Sequence, residues 1–450
     1  MANKNLGISV EEALQKVTEI DKSGYHLNSV LALTENLEIS RIPGLLSGVP
    51  ILIKDNIEAI GLPATAGSLA LSGREVVRDS TIAKRLRAAG ATIIGSTNLS
   101  EWANIRSGKS TSGWSAVGGL TANPWKHERS AGGSSSGSGA AVAAGIVAMA
   151  VGSETDGSIV CPASLNGCVG IKPTVGSIPR DAMIPISSSQ DTPGPMTQTV
   201  AQSALLLDVL TDKKEYTKSI NEDYSIKIGF VTGWITKDDG TNQLLSDLIS
   251  ALSKANIYIA EISLPEPSEQ DGQDEFKVLL HELNEDLARY LQKRPGDGVR
   301  NLQDVVDFNL NHKGSEMQHF GQEFFDLALE LGGRNSIYHK LRASNLDWAK
   351  NKVLNPAFEK FDILIGATYG PSWVSNLGGG DDYSSASWIS MAPAIAGTPI
   401  GCLPMGLVNG LPVGVGVVSR ANQENLLISV MAKIEKTLGL GILRPTFTKS

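Results

Sequence analysis

Short apolar runs alternate along the chain with stretches whose apolar residues recur at helical spacing, and that alternation predicts an α/β fold. The runs fall at 49–53, 91–94, 146–151, 226–231, 361–366, 400–403 and 413–418. Four to eight apolar residues in succession suit a strand buried on both faces. Between the runs, 10–20 reads as a first amphipathic helix, and Asp79 or Ser80 is placed to cap a helix reaching about Ala89, with Gly90 as its stop. Small apolar residues predict a helix over 140–144 ending near Gly145, and a last helix falls near 423–438. Leu279, Leu280, Leu283 and Leu287 set the helical pattern of a long stretch, about 274–360. With no repeat and no Pro/Ser linker, residues 1–450 are expected to form a single sheet-centred domain carrying 274–360 as a largely helical insertion.

Composition narrows the function classes. Hydrophobic residues make up 41% and charged ones 19%, enough for a large core and unlike a disordered chain. Lys and Arg number 39 against 47 Asp and Glu, so the net charge of −8 argues against nucleic acid as the main partner. No run approaches the ~18 apolar residues of a membrane span. The opening MANKNLGISVEEALQKVTEI has no apolar signal core. Cys161, Cys168 and Cys402 are too few and too odd in number for a disulfide framework, so a reducing cytoplasm is expected, with the thiols buried. Metal is not expected either. HELNE at 281–285 is one histidine short of a zinc motif, and His312 and His319 read as ordinary surface or core residues.

The chemistry concentrates in glycine and serine. Glycine counts 47 and clusters at 132–139, 378–380 and 406–416, where backbone turns tightly or approaches a ligand. GGSSSGSG at 132–139 lacks the Gly-Lys-Ser/Thr ending of a P-loop, and no buried strand runs into it as a dinucleotide site requires. No Gly-x-Ser-x-Gly elbow is present. Instead, Ser134 precedes the small-residue helix, Gly145 turns the chain, and the following strand returns it to SETDGS at 153–158. Ser134 and Ser158 are thereby expected to be neighbours, and Lys54 sits just past the C-terminal end of a strand on the same rim, where open α/β sheets build their sites. A serine hydroxyl needs a base, and lysine is a base only when desolvation or positive surroundings lower its pKa from about 10.4. The positive end of the helix after Ser134 favours the neutral amine. A second serine relays the proton, since a hydroxyl donates and accepts at once. Backbone N–H groups of Thr155, Asp156, Gly157 and Ser158 are placed to surround an oxyanion.

These residues resemble the amidase signature family. GGSSSGSGAAVAAG (132–145) and SETDGSIVCPASLNGCVGIKPT (153–174) look like its Gly/Ser signature and nucleophile loop, and GVPILIKDNI (48–57) like its lysine motif. AGSLAL (66–71), GSTNLSEWANIRS (95–107), SQDTPGPM (189–196) and NGLPVGVGVVSR (409–420) extend the likeness over nearly the whole chain. ETDGSIVCP, SEWAN and HFGQEFF (319–325) look most like the peptide amidase branch. The resemblance implies a three-layer α/β/α fold around a large mixed sheet. It implies Ser158 as acylated nucleophile, Ser134 as relay after a cis peptide, Lys54 as base, and the turn 155–158 as oxyanion hole. No cofactor is implied, and the substrate is a small-molecule or peptide amide, with peptide C-terminal amides favoured.

Many members carry glycine at Asp156 and arginine at Val160, and an arginine there would suit a substrate carboxylate. Many also read Gly-Gly-Ser at Ser136-Gly137-Ser138. The lead before Lys54 is short, so a longer N-terminal cap or membrane-binding segment is not expected. Asp191 and Arg180 are expected to support the loop, without a catalytic role. The chain is expected as a monomer or homodimer. The alternatives are a glutamine-hydrolysing component of an amidotransferase, which needs a tight partner protein, and a catalytically silent binding protein on the same scaffold.

Overall fold

The computed structural model describes residues 6–222 and 224–449. Its strands are β1 (Val30–Leu33), β2 (Pro50–Lys54), β3 (Thr92–Thr97), β4 (Trp114–Ser115), β5 (Gly119–Leu120), β6 (Met149–Glu154), β7 (Val169–Lys172), β8 (Thr192–Thr197), β9 (Lys227–Val231), β10 (Tyr258–Ile262), β11 (Ile363–Ala367), β12 (Ile400–Val408) and β13 (Leu411–Ser419). β4 and β5 form a small ribbon; the other eleven make one sheet in the order β1-β3-β2-β6-β8-β7-β12-β13-β11-β9-β10. The sheet is mixed: β2 runs parallel to β3 and β6, and β9 to β10 and β11, while the remaining pairs are antiparallel.

Both faces of the sheet are covered, which is why its strands read as continuous apolar runs rather than alternating ones. Ile51, Ile53, Met149, Val151, Ile365 and Val415 pack into one layer with the helices Thr81–Ala88, Val200–Thr211, Asp239–Lys254 and Glu424–Leu438. Leu52, Ala150, Leu364 and Val418 point the other way, under Val10–Lys16, Ser136–Ala143, Val160–Asn166 and Met391–Ala396. Each fully buried Ile, Leu, Val or Met side chain among these contributes roughly 1.5–3 kcal/mol. The architecture is three-layer α/β/α.

Three boundaries differ from the sequence pattern for local reasons. The first helix is α-helical over Val10–Lys16 and continues in wider π turns over Val17–Ser23. The small-residue helix begins at Ser136, four residues before the apolar pattern does. It ends in paired carbonyl caps: Gly145, at φ +71°, donates to Val142 O, and Ile146 N–H donates to Ala141 O. Ile146 is therefore part of the helix stop, and β6 starts only at Met149. As expected, Ser80 caps Thr81–Ala88 by accepting from Ala83 N–H.

The helices from Glu269–Lys293 to Asn355–Phe358 lie between β10 and β11 in sequence. Leu280, Leu283, Leu287, Val305 and Phe325 form a separate apolar cluster that also takes in Trp102, Ile184 and Ile186 from sheet-side loops. Among the described residues no helix is long and apolar enough to cross a membrane.

Candidate active site

The parallel pairing of β2 with β6 sets the geometry. Ile51, Leu52 and Ile53 stand beside Met149, Ala150 and Val151, so the next residues of both strands emerge together. Lys54 is the last residue of β2 rather than the first beyond it, and it is fully buried. Its Nζ lies 2.7 Å from Ser134 Oγ, 3.1 Å from Ser153 Oγ and 3.2 Å from the Ser153 carbonyl oxygen. Among the described residues no carboxylate forms an ion pair with it within 4.0 Å. Burial pushes the amine down to about 7, against the pull of Asp191 and Glu154, which favour the charged form.

Ser134 is brought to the amine by the loop that opens the Ser136–Ala143 helix. The Gly133–Ser134 peptide is cis. The Ser134 carbonyl accepts from Ser100 N–H at 3.1 Å. A Cβ on Gly133 would stand 2.3 Å from Ser100 Oγ and 2.6 Å from Ser112 Oγ, so only glycine fits. The next residue ties two loops together: Ser135 N–H donates to the Ser158 carbonyl at 3.1 Å, and Ser135 Oγ donates to the Ser153 carbonyl at 2.9 Å.

The turn after β6 is held from its flanks. Glu154 Oε2 accepts from Ile159 and Val160 N–H at 2.7 and 2.9 Å, turning the chain into the Val160–Asn166 helix. Thr155 Oγ1 donates to Asp191 Oδ1 at 2.6 Å, while Asp191 Oδ2 accepts from Ile186 and Ser187 N–H. Arg180 donates to the Asp191 carbonyl at 3.1 Å, so Asp191 touches the turn through Thr155 and Arg180 reaches it only through Asp191. Burial pushes the Asp156 and Asp191 carboxyls up to about 6. Gly157 has φ +76°, and a Cβ there would stand 2.9 Å from Tyr369 Oη. Among the described residues, none of the N–H groups of Thr155, Asp156, Gly157 and Ser158 donates to a protein acceptor.

Sequence reasoning missed Ser153, Asn56 and Asp381. Asn56 Nδ2 donates to Ser153 Oγ at 2.9 Å, so the serine near the end of β6 holds both the amine and the amide. Adjacent strand ends were the available signal. Asp381, in the glycine-rich 378–382 segment, accepts from Ser112 Oγ at 2.6 Å and from Trp373 Nε1 at 3.2 Å, tying that segment to the serine that lies against Gly133. The cysteines are buried and unpaired, and burial pushes the Cys168 thiol up to about 12. His312 stacks on Phe308, His319 meets Trp114 edge-on, and His281 Nδ1 faces the Gly332 and Gly333 carbonyls.

Comparison with known proteins agrees with this layout. The amidase family model matches residues 17–428. The chain is 32% identical to a glutamyl-tRNA(Gln) amidotransferase component from Methanococcoides burtonii, over 97% of this chain and 96% of that one. Among solved structures it resembles the peptide amidase PAM bound to the competitive inhibitor chymostatin, with TM-score 0.90 and 36% identity over 97% of this chain and 94% of that one. Native peptide amidase from Stenotrophomonas maltophilia gives TM-score 0.89 and 35% identity over the same shares. A mixed sheet between two helical layers, a lysine-serine contact at its rim and a match over most of the sequence agree: the chain belongs to the amidase signature family and is an amide hydrolase.

Proposed function

We propose that this amidase hydrolyses carboxamides through an acyl-enzyme on Ser158, with Ser134 as proton relay and Lys54 as base. The supporting observation is the 2.7 Å contact between Ser134 Oγ and a fully buried Lys54 amine that has no ion pair among the described residues. A neutral amine takes the Ser134 proton as Ser134 takes that of Ser158, and Ser158 Oγ attacks the carbonyl carbon. The oxyanion is received by the unengaged N–H groups of Thr155, Asp156, Gly157 and Ser158; removing such a donor typically costs about 10²–10³ in rate. The C–N bond then breaks, and the departing nitrogen takes the proton back from Lys54 through Ser134. Water, deprotonated along the same path, attacks the ester, releasing the carboxylic acid and restoring Ser158.

Peptide C-terminal amides are the favoured substrates. The two peptide amidase structures are 35–36% identical to this chain, and Val160 offers no cation to a substrate carboxylate. No cofactor is needed for these steps. Residues 1–450 act as one amidase domain, monomeric or homodimeric, whose helices over 274–360 wall the site. A second reading, glutamine hydrolysis within an amidotransferase complex, is supported by the 32% identity to a component of such an enzyme. Ammonia release from peptide amides, simple aliphatic amides and free glutamine, measured on the chain alone, separates the two. Peptide amides turned over without a partner protein support the first reading; glutamine as the only substrate replaces it with the second.

A further inference from the structure

We propose that Asn56 is a positioning residue that keeps Ser153 from competing with Ser134 for the lone pair of Lys54. The inference rests on the serine-lysine reading above and follows from counting protons around the amine. A neutral lysine has two N–H groups and one lone pair. The Ser153 carbonyl only accepts, so it takes one N–H, at 3.2 Å. Two hydroxyls remain within reach: Ser134 Oγ at 2.7 Å and Ser153 Oγ at 3.1 Å. One of them receives the second N–H and the other gives its proton to the lone pair. Turnover requires that the donor be Ser134; if Ser153 donates, the amine is occupied by a hydroxyl that leads nowhere.

Asn56 decides between these states. Its Nδ2 donates to Ser153 Oγ at 2.9 Å. Accepting from Asn56 leaves Ser153 one lone pair and its own proton; when that lone pair takes a Lys54 N–H, the proton must find an acceptor on the Asn56 side, away from the amine. Ser153 and Asn56 line a cavity of about 20 Å³, and Asn56 Oδ1 is buried with no partner among the described residues. A cavity of that size takes one water, which there would accept the Ser153 proton and donate to Asn56 Oδ1. With the amide turned over, Oδ1 would accept the Ser153 proton directly, with the same consequence for Lys54. The Asn56 backbone carbonyl, which accepts from Ile184 N–H at 2.8 Å, is untouched by a side-chain substitution.

The test uses the full chain and a fluorophosphonate probe, whose labelling rate reports activation of Ser158 without an identified substrate. Asn56→Ala is expected to lower the maximal labelling rate about tenfold with unchanged probe affinity, the scale of one misdirected hydrogen bond. In a Ser153→Ala background the same change is expected to cost less than about twofold, because the competing hydroxyl is gone. An equal loss in both backgrounds, or weakened probe affinity in place of a slower rate, overturns the inference and makes Asn56 structural. If Asn56→Ala does not fold, Asn56→Asp serves. Its carboxylate can only accept, so it takes the Ser153 proton and the maximal rate is kept, while its charge joins Asp191 and Glu154 facing Lys54 and moves the acid limb upward. An unmoved limb, or a lost maximal rate, overturns the inference. Labelling that persists in Ser158→Ala would instead remove the underlying reading, and this inference with it.

Discussion

Two lysines end neighbouring parts of the same sheet, both fully buried, and only one has partners that can exchange a proton. Lys54 closes β2 and touches two hydroxyls; Lys172 closes β7 and donates to the Thr398 carbonyl at 2.7 Å. Burial lowers both, Lys54 to about 7 and Lys172 to about 8. The difference lies in the surroundings. Glu154, Asp156 and Glu424 all favour charge on Lys172, whereas Asp191 and Glu154 act on Lys54. A carbonyl can only accept, so Lys172 has no proton to take from its hydrogen-bond partner, while Lys54 faces a serine that has one to give. Desolvation alone does not make a base; the chemistry of the nearest oxygen does.

The largest expected effect lies beyond either lysine. Ser158→Ala should abolish fluorophosphonate labelling and reduce amide turnover by about 10⁴-fold or more, as loss of a nucleophile does elsewhere. Measurable labelling of the folded variant would place the nucleophile at another residue. Next comes Lys54→Met, expected to slow labelling by about 10²–10⁴, the usual range for a general base. The same variant has a stability signature. With a folded pKa near 7 and an unfolded one near 10.5, wild-type Lys54 is charged in the unfolded chain and neutral in the fold between those values. Stability of the wild type therefore rises with pH across that window, and the penalty of burying the amine is fullest below pH 7. The melting temperature of Lys54→Met relative to wild type should be highest near pH 6–7 and fall steadily towards pH 10. A pH-independent difference would mean that the amine is not desolvated as its burial implies.

The contrast between the lysines also marks what the sequence could disclose. Lys54, Ser134 and the turn 155–158 lie on short segments bounded by glycine and apolar runs, so strand and helix order alone brought them to one rim. Lys54 and Ser134 do meet there, and the Ser158 carbonyl is tied to Ser135. Ser153 and Asn56 were harder to read because their contact depends on strand register: one slip of β6 along β2 would turn Ser153 to the other face, away from Asn56. Asp381 was invisible for a different reason. Its partners Ser112 and Trp373 come from separate loops, and no periodicity relates them. The boundary at Ile146 was misplaced because an apolar residue that closes a helix cap has the same pattern as one that opens a strand.

A smaller effect should come from Asp191→Asn. Asp191 favours the charged form of Lys54, so removing its charge should move the acid limb of labelling below its wild-type midpoint near 7. Asp191 itself, held up to about 6, loses charge on the same limb, so the wild-type limb should be broader than a single titration. Loss of the carboxylate that accepts from Thr155, Ile186 and Ser187 should also slow labelling about tenfold. A slower rate with an unmoved midpoint would leave Asp191 as a brace for the turn and nothing more.

The smallest effect on rate is expected from Lys172→Met, and it is the sharpest test of the contrast. The substitution leaves the Thr398 carbonyl without its donor and removes from Glu154, Asp156 and Glu424 the positive charge of Lys172. An orphaned buried acceptor costs about 1–3 kcal/mol, so the melting temperature should fall. The Asp156 carboxyl, which Lys172 draws towards charge, should titrate higher, and because its side chain donates to no step of the proton relay the limb set by Lys54 should stay in place. Per folded molecule, labelling should slow by less than about fivefold, a loss on the scale of one indirect hydrogen bond. A loss comparable to that of Lys54→Met would mean that the two buried amines act as one charged unit. The direction of the hydroxyl proton would then not be what separates them.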